Sequence, residues 1–400
     1  MKTIIFLCLL NYALGDLYPN NNVCPTILDY NTIYVNDRCW YDPDVTASVP
    51  EIISNHGLSS TSYNVTTWDG YTIEIFRIIS PFTTTKGSIL FFPGLSRDCR
   101  SFLLQGANSS AIYYANKGWD VWLGNLRGSE YSSNIHFTKD DDAFWNYSFH
   151  EMGTIDMPSQ VDKIVEITQN TSDIYIIGHT MGNTVSFVYC STNVSHCQKN
   201  VKGIIALAPT ANMFMIKSPL IYLILNLKGV PKISTDFFEI CQNAPGIGLC
   251  DVGFQTILGP SNPNPFPQML PIFTHTGNGA LVTKVINHYA QIINGLGKFR
   301  WYDYGFLENL SRYGTSDPPF YVTLKIPVHT TLISANNDFI AVEPDIEVLY
   351  SLLEPTKRTW FKVPENSAPD MLISHLDFVI GADVPRQQIY SKINAALGDE

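Results

Sequence analysis

The sequence is poor in charged residues. Asp, Glu, Lys and Arg together make up 15% of the 400 residues, against about a quarter of an ordinary soluble chain. Acidic residues outnumber basic ones 36 to 25, and no stretch gathers lysines and arginines. Nucleic-acid binding needs a concentrated positive surface, so this balance argues against a nucleic-acid partner.

The sequence also lacks internal repeats, low-complexity segments and an apolar run long enough to cross a bilayer. The best internal candidate, Pro219 to Val230, is broken by Asn226 and Lys228, whereas a spanning helix needs about 20 apolar residues. We therefore expect no transmembrane segment. With 45% apolar and 12% aromatic residues, the chain can instead bury a large core.

Residues 1–15 are predicted to be a secretory signal peptide. Lys2 precedes the apolar run Ile4 to Leu10, and the small residues Ala13 and Gly15 come before a cleavage site that we place after Gly15. The predicted location is the secretory pathway, with an extracellular or a lysosomal destination. Six sequons permit N-glycosylation there, without being evidence for secretion: Asn64, Asn108, Asn146, Asn170, Asn193 and Asn309.

An oxidising compartment makes disulfides the default expectation for cysteines. We predict a bond between Cys241 and Cys250, which close a short loop. The other five cysteines of the mature chain leave the connectivity open, with neighbouring pairs and one leftover residue as the simplest arrangement: Cys24–Cys39, Cys190–Cys197 and Cys99.

Short apolar runs alternate with segments of helical length. This alternation predicts a mostly parallel central sheet flanked by helices. Asp69-Gly70 predicts a hairpin turn between the first two strands. The predicted strands are Tyr63–Trp68, Tyr71–Ile79, Ser88–Phe92, Trp119–Leu123, Ile174–Ile177, Gly203–Ala208, Val328–Ile333 and Thr359–Val363.

Residues 212–303 interrupt this alternation of strands and helices with a long apolar, proline-rich stretch. Because about 90 residues exceed what one crossover needs, we predict a cap or lid inserted into an α/β core. The core then consists of residues 16–211 and 304–400. The alternative is an ordinary pair of crossover helices.

One turn has the pattern of a catalytic nucleophile. The apolar strand Ile174–Ile177 leads into Gly178-His179-Thr180-Met181-Gly182, and a helix is predicted from Val185 to Tyr189. This is the context of the Gly-x-Ser-x-Gly elbow, in which a tight strand-to-helix turn lifts a hydroxyl above the sheet. Threonine occupies the nucleophile position, and no Gly-x-Ser-x-Gly occurs elsewhere.

Several motifs together resemble the acid lipase family, the gastric and lysosomal lipases of the α/β-hydrolase fold. The resemblance runs from about Val45 to the C-terminus. The motifs that carry it are Trp68-Asp69-Gly70-Tyr71, Gly118 to Gly128, Phe144 to Met152, Asp156-Met157-Pro158, the cysteine pair in the cap, and Gly297 to Gly305.

The resemblance implies a catalytic triad. Asn336 to Ala341 matches the motif of the acid, Asp338, and Ser374 to Phe378 matches the motif of the histidine, His375. His375 would remove the hydroxyl proton of Thr180 and later protonate the leaving alkoxide, while Asp338 would hold its imidazole in the right tautomer.

The resemblance also places the oxyanion hole at the backbone amides of Leu95 and Met181. The family has His-Gly-Leu where this chain has Pro93-Gly94-Leu95, and Met181 replaces the family's usual glutamine. Thr180 itself puts a β-branched side chain at a position of unusual backbone conformation, where such a side chain is costly.

Two functional hypotheses follow. In the first, the protein is a secreted hydrolase of lipid esters that forms an acyl-enzyme, slowed by Thr180. In the second, it is an inactive homologue that binds or stores lipid. Both imply a lipid partner and transient contact with a lipid surface. No cofactor is implied, no metal-ligand spacing is apparent, and Asp140-Asp141-Asp142 is predicted to be a solvated loop.

Overall fold

A computed structural model describes residues 17–79, 81–82, 85–169, 173–219, 232–233, 240–241, 246–275, 279–365, 368 and 370–399. The predicted signal peptide, most of the Pro219 to Val230 stretch and Asn170 lie outside the described residues. Within these ranges, no helix combines the length and the apolar character that crossing a membrane requires.

One large sheet forms the centre of the molecule. Its order is β1-β2-β4-β3-β6-β7-β10-β11, with β5 beside β2. Strand β2 runs antiparallel to β1, β4 and β5, and the remaining pairs are parallel. The strands of this sheet are β1 Ser59–Thr66, β2 Tyr71–Ile79, β3 Ser88–Phe92, β4 Asp120–Leu123, β5 Ser132–Asn134, β6 Ile174–His179, β7 Val201–Leu207, β10 His329–Ala335 and β11 Arg358–Val363.

The predicted α/β-hydrolase fold and all eight predicted strands of the sheet are confirmed. Strands β3 and β4 are buried at every residue, as continuous apolar runs covered by helices on both faces should be. Strand β5 was not predicted, because its sequence Ser-Ser-Asn carries neither β-branched residues nor alternation.

Helices cover both faces of the sheet. A π-helical turn at Met152–Asp156 connects the helices Phe149–Glu151 and Met157–Thr168. It packs on the helix Met181–Thr192, where a Cβ on Gly153 would lie 2.5 Å from Val188. The α-helices within the described residues are α1 Val49–Asn55, α2 Ser110–Asn116, α3 Phe149–Glu151, α4 Met157–Thr168, α5 Met181–Thr192, α6 Val194–Asn200, α7 Gly246–Leu258, α8 Phe266–His275, α9 Thr283–Asn294, α10 Phe306–Tyr313, α11 Glu343–Leu352, α12 Asp377–Ile380 and α13 Asp383–Leu397.

Residues 212–303, for which we keep the name insertion from the sequence prediction, lie between β7 and β10 along the chain. Its described part contains helices α7, α8 and α9, together with a two-stranded ribbon of β8 (Lys232–Ile233) and β9 (Leu281–Val282). The apolar interior of the molecule extends into it, since Phe266, Leu270 and Val285 are buried in the same cluster as the sheet.

The described part of the chain contains three disulfides, each between successive cysteines: Cys24–Cys39, Cys190–Cys197 and Cys241–Cys250. Cys99 is a free thiol, completely buried, and burial raises its pKa well above the usual value. Asn125 Nδ2 lies 3.4 Å from its sulfur. A protonated thiol in such a place is a packing residue rather than a nucleophile.

Candidate active site

The turn between β6 and α5 has the geometry of a nucleophile elbow. Thr180 has φ 45° and ψ −110°, outside the regions that a β-branched residue adopts without strain. The flanking glycines permit this turn, because a Cβ on Gly178 would lie 2.4 Å from Asn183 Oδ1 and one on Gly182 would lie 2.3 Å from the Phe92 carbonyl oxygen. The strand, the turn and the helix therefore place Thr180 at the carboxyl end of β6, at the N-terminus of α5.

The side chain of Thr180 touches the loop that follows β3. A Cβ built on Gly94 would lie 2.3 Å from Thr180 Cγ2, so the threonine methyl occupies space directly against the glycine. The methyl, which serine lacks, thus lies between the hydroxyl-bearing carbon and the loop of Pro93, Gly94 and Leu95. Within the described residues, the Thr180 hydroxyl makes no hydrogen bond to His375.

His375 and Asp338 form a buried, hydrogen-bonded pair. His375 Nδ1 lies 2.8 Å from Asp338 Oδ2, and the two residues are 4% and 1% exposed. The other carboxylate oxygen, Asp338 Oδ1, accepts from the backbone amides of Ile340 and Ala341, each at 2.8 Å. With both oxygens occupied, the carboxylate cannot rotate freely, and the imidazole carries its proton on Nδ1 with Nε2 left as a base.

His179, which the sequence analysis gave no role, connects the elbow to the loop of His375. Its Nε2 lies 3.0 Å from the backbone oxygen of His375, and the two rings are 5.0 Å apart. Burial, with His375 nearby, lowers the pKa of His179 to about 3. His179 is therefore neutral at ordinary pH and donates its Nε2 proton to that carbonyl.

The two predicted oxyanion residues line one cavity. Leu95 and Met181 contribute to a small cavity beside the elbow, and Met181 begins helix α5. The other walls are largely apolar and come from the core and from the insertion: Ser96, Arg97, Leu126, Arg127, Gly128, Ser129, Tyr147, Met152, Gly279, Ala280, Val282 and Val285.

A buried ion network lies beside this cavity, since Arg127 is one of its lining residues. Arg127 binds Asp156 at 2.6 Å and Asp69 at 2.7 Å, and its guanidinium lies over the Tyr71 ring at 4.2 Å. Burial raises the pKa of Asp156, while Arg127 acts in the opposite direction. Removing Arg127 would leave the buried Asp156 unpaired, so three separate motifs of the sequence are joined through this arginine.

The structure places two of the three predicted triad residues, His375 and Asp338, in direct contact. Thr180 and Asp338 follow β6 and β10, which both pair with β7. His179, next to Thr180, has its Nε2 3.0 Å from the backbone oxygen of His375. In the part of the chain that the structure describes, no group of three His, Cys, Asp or Glu side chains has metal-binding geometry.

Four of the predicted glycosylation sites are exposed, and one is not. Asn64, Asn108, Asn146 and Asn193 lie on the surface. Asn309 is 1% exposed. Its Nδ2 donates to Asp303 Oδ1 at 2.7 Å and to the Ser316 carbonyl at 2.9 Å, and its Oδ1 accepts from the Tyr304 amide.

We therefore expect no glycan on Asn309, because Nδ2 is the atom that would carry it and both of its protons are bonded inside the fold. Glycosidase treatment in heavy-oxygen water followed by peptide mapping should mark the exposed sites that are occupied and leave the Asn309 peptide unmarked. A marked Asn309 in folded, secreted protein would contradict the local structure around α10.

Comparisons with known proteins agree with this geometry. Residues 87–232 match the family model described as alpha/beta hydrolase fold, and residues 49–106 match a partial alpha/beta-hydrolase lipase region. Human gastric triacylglycerol lipase is 29% identical, with 90% of this chain and 92% of that protein aligned. Lipase member N of Mus musculus is 31% identical, with 88% of this chain and 90% of that protein aligned.

Solved structures share the fold at low identity. A putative lipase from Sulfolobus solfataricus superposes with a TM-score of 0.53 at 15% identity, over 85% of this chain and 94% of that one. Monoglyceride lipase from Saccharomyces cerevisiae gives 0.52 at 13% identity, over 88% and 96%. The matched lipase region and the aligned lipase relatives show that the chain belongs to the acid lipase family of α/β hydrolases.

Proposed function

We propose that this protein hydrolyses lipid esters with Thr180, His375 and Asp338 as its catalytic triad. The observation that carries the proposal is the buried 2.8 Å contact between His375 Nδ1 and Asp338 Oδ2, beside an elbow that presents a hydroxyl residue. A protein that only binds lipid has no chemical need for a histidine–carboxylate pair held away from water, where an ionised carboxylate costs free energy to bury.

The mechanism follows from the placement of these groups. Thr180 Oγ1 attacks the ester carbonyl while His375 Nε2 takes its proton, and Asp338 stabilises the imidazolium that forms. The amides of Leu95 and Met181 bind the oxyanion, helped by the positive end of the α5 dipole. His375 then protonates the leaving alkoxide, and a water molecule activated by His375 releases the acid from Thr180.

The substrate class is inferred from the cavity and from the relatives. The largely apolar cavity lies between the core and the insertion, as a binding site for an acyl chain would. The human relative aligned with this chain is a gastric triacylglycerol lipase. We infer that residues 212–303 act as a cap over the site, between core segments 16–211 and 304–400, and that the enzyme meets lipid surfaces transiently.

We infer that the protein works in the secretory pathway, outside the cell or in lysosomes. The three disulfides between neighbouring cysteines support this location, since such bonds persist in oxidising compartments. The relatives named above are consistent with it.

The proposal predicts that Thr180→Ala abolishes hydrolysis of a short-chain chromogenic ester, because the attacking oxygen is removed. Thr192→Ala is the matched control: it deletes a hydroxyl of the same helix that bonds only to the carbonyls of Val188 and Tyr189. Its rate should equal that of wild type.

Equal hydrolysis by wild type and Thr180→Ala would remove Thr180 from the mechanism. Absence of hydrolysis in wild type and in Thr180→Ser, combined with binding of a fluorescent fatty acid, would support the lipid-binding function instead.

A further inference from the structure

The segment Leu258–Asn262, at the end of α7 in the insertion, lies in contact with two of the triad loops. The backbone oxygen of Leu258 accepts from the amide of Phe339 and from the amide of His375, both at 3.3 Å. One carbonyl of the insertion therefore joins the loop after Asp338 to the residue His375 itself.

The contact with the acid loop is close. Gly259 has φ +98°, and a Cβ on it would lie 1.9 Å from the Asn337 carbonyl oxygen, so only glycine fits. Asn337 Nδ2 in turn donates to the Pro260 carbonyl at 2.6 Å. The 258–262 segment is thus held against the residue that precedes Asp338.

Ser261 makes the side-chain contact with the histidine loop. Its Oγ donates to Asp377 Oδ2 at 2.6 Å and lies 2.8 Å from Ser374 Oγ. The same Asp377 oxygen accepts from the Ser374 amide at 2.6 Å. All three residues are buried, and burial raises the pKa of Asp377. Ser374 and Asp377 flank His375, so this cluster fixes the backbone on both sides of the imidazole.

We propose that Ser261 is a positioning residue that sets the His375 imidazole between Asp338 and Thr180. The proposal rests on the proposed function but concerns a separate contact, from the insertion to the catalytic loop. Without the serine hydroxyl, a buried carboxylate loses a donor, which is costly enough for the 374–377 turn to rearrange or admit water. A shift of about 1 Å at a catalytic base can cost on the order of a hundredfold in rate.

The first readout does not depend on turnover. The proton between His375 Nδ1 and Asp338 gives a low-field resonance in the proton NMR spectrum, assigned by its loss in His375→Gln. Ser261→Ala should shift or broaden this resonance, and Ser261→Thr, which keeps the hydroxyl, should restore it. Thr274→Ala is the matched control, since it removes a buried hydroxyl of the insertion that bonds only to Leu270 and Pro271 of its own helix.

The second readout is kinetic and uses wild type or Thr180→Ser, whichever hydrolyses ester. We expect Ser261→Ala to lower kcat tenfold to a hundredfold with KM nearly unchanged, and Ser261→Thr to recover most of the loss. If Ser261→Ala does not fold, Asn337→Ala releases the other end of the segment and should move the resonance in the same direction.

A wild-type resonance in both folded Ser261→Ala and Asn337→Ala would overturn the proposal, as would an unchanged kcat. Absence of ester hydrolysis in wild type and Thr180→Ser would refute the proposed function alone, because the NMR readout still decides the role of Ser261.

Discussion

Thr180→Ser is expected to raise the rate of ester hydrolysis by on the order of a hundredfold. The physical reason is the threonine methyl, which lies against Gly94 on the side of the oxyanion loop and limits the rotation of the hydroxyl about χ1. Attack requires that hydroxyl to face both His375 Nε2 and the ester carbonyl, and a displacement of about 1 Å is enough for an effect of this size. Serine removes the methyl and also relieves strain at φ 45°.

The measurement is hydrolysis of a short-chain chromogenic ester by wild type, Thr180→Ser, and Thr180→Ser combined with Pro93→His. Activity in the double variant alone would locate a second defect in the loop at Pro93, whose carbonyl oxygen lies near Gly182. A folded Thr180→Ser no faster than wild type would show that the methyl does not limit catalysis.

The sequence predicted the fold because the parallel strands are short, continuous apolar runs with helical connections between them. Burial on both faces requires such runs, and the pattern is therefore visible without neighbours in space. Strand β5 was not predicted because it consists of three polar residues, and its pairing with β2 is a matter of backbone geometry. Pairing of this kind leaves no periodicity in the sequence.

The sequence could predict those residues of the candidate site that lie in local motifs, but not the contacts that hold them in place. Thr180, Asp338 and His375 each lie in a recognisable stretch, whereas the partners that hold them are distant along the chain. Ser261 is 116 residues from Asp377, and nothing in its sequence neighbourhood marks it as a donor to that carboxylate. The contact of the Thr180 methyl with Gly94 likewise exists only once β3 and β6 are paired.

The geometry of Asp338 predicts a second large effect on the rate, because its two carboxylate oxygens have different hydrogen-bond partners. Asp338 Oδ1 accepts two backbone amides, and Oδ2 accepts the Nδ1 proton of His375. In Asp338→Asn, the single remaining oxygen is drawn to the two fixed amides, which leaves the NH₂ group facing His375. The imidazole must then accept at Nδ1 and carry its proton on Nε2, the wrong tautomer for removing a proton from residue 180.

We therefore expect Asp338→Asn to lower kcat by about 10⁴-fold, the cost of this tautomer error in a related triad, in whichever of wild type and Thr180→Ser is the more active background. Asp345→Asn is the matched control, because Asp345 also accepts two backbone amides, those of Phe214 and Met215, through one oxygen that asparagine can retain. Its kcat should stay within a fewfold of the parent. The measurement is kcat from stopped-flow or steady-state ester hydrolysis, with circular dichroism to verify that each variant is folded. A loss below tenfold in Asp338→Asn would mean that the carboxylate does not set the tautomer of His375, and that another group orients the base.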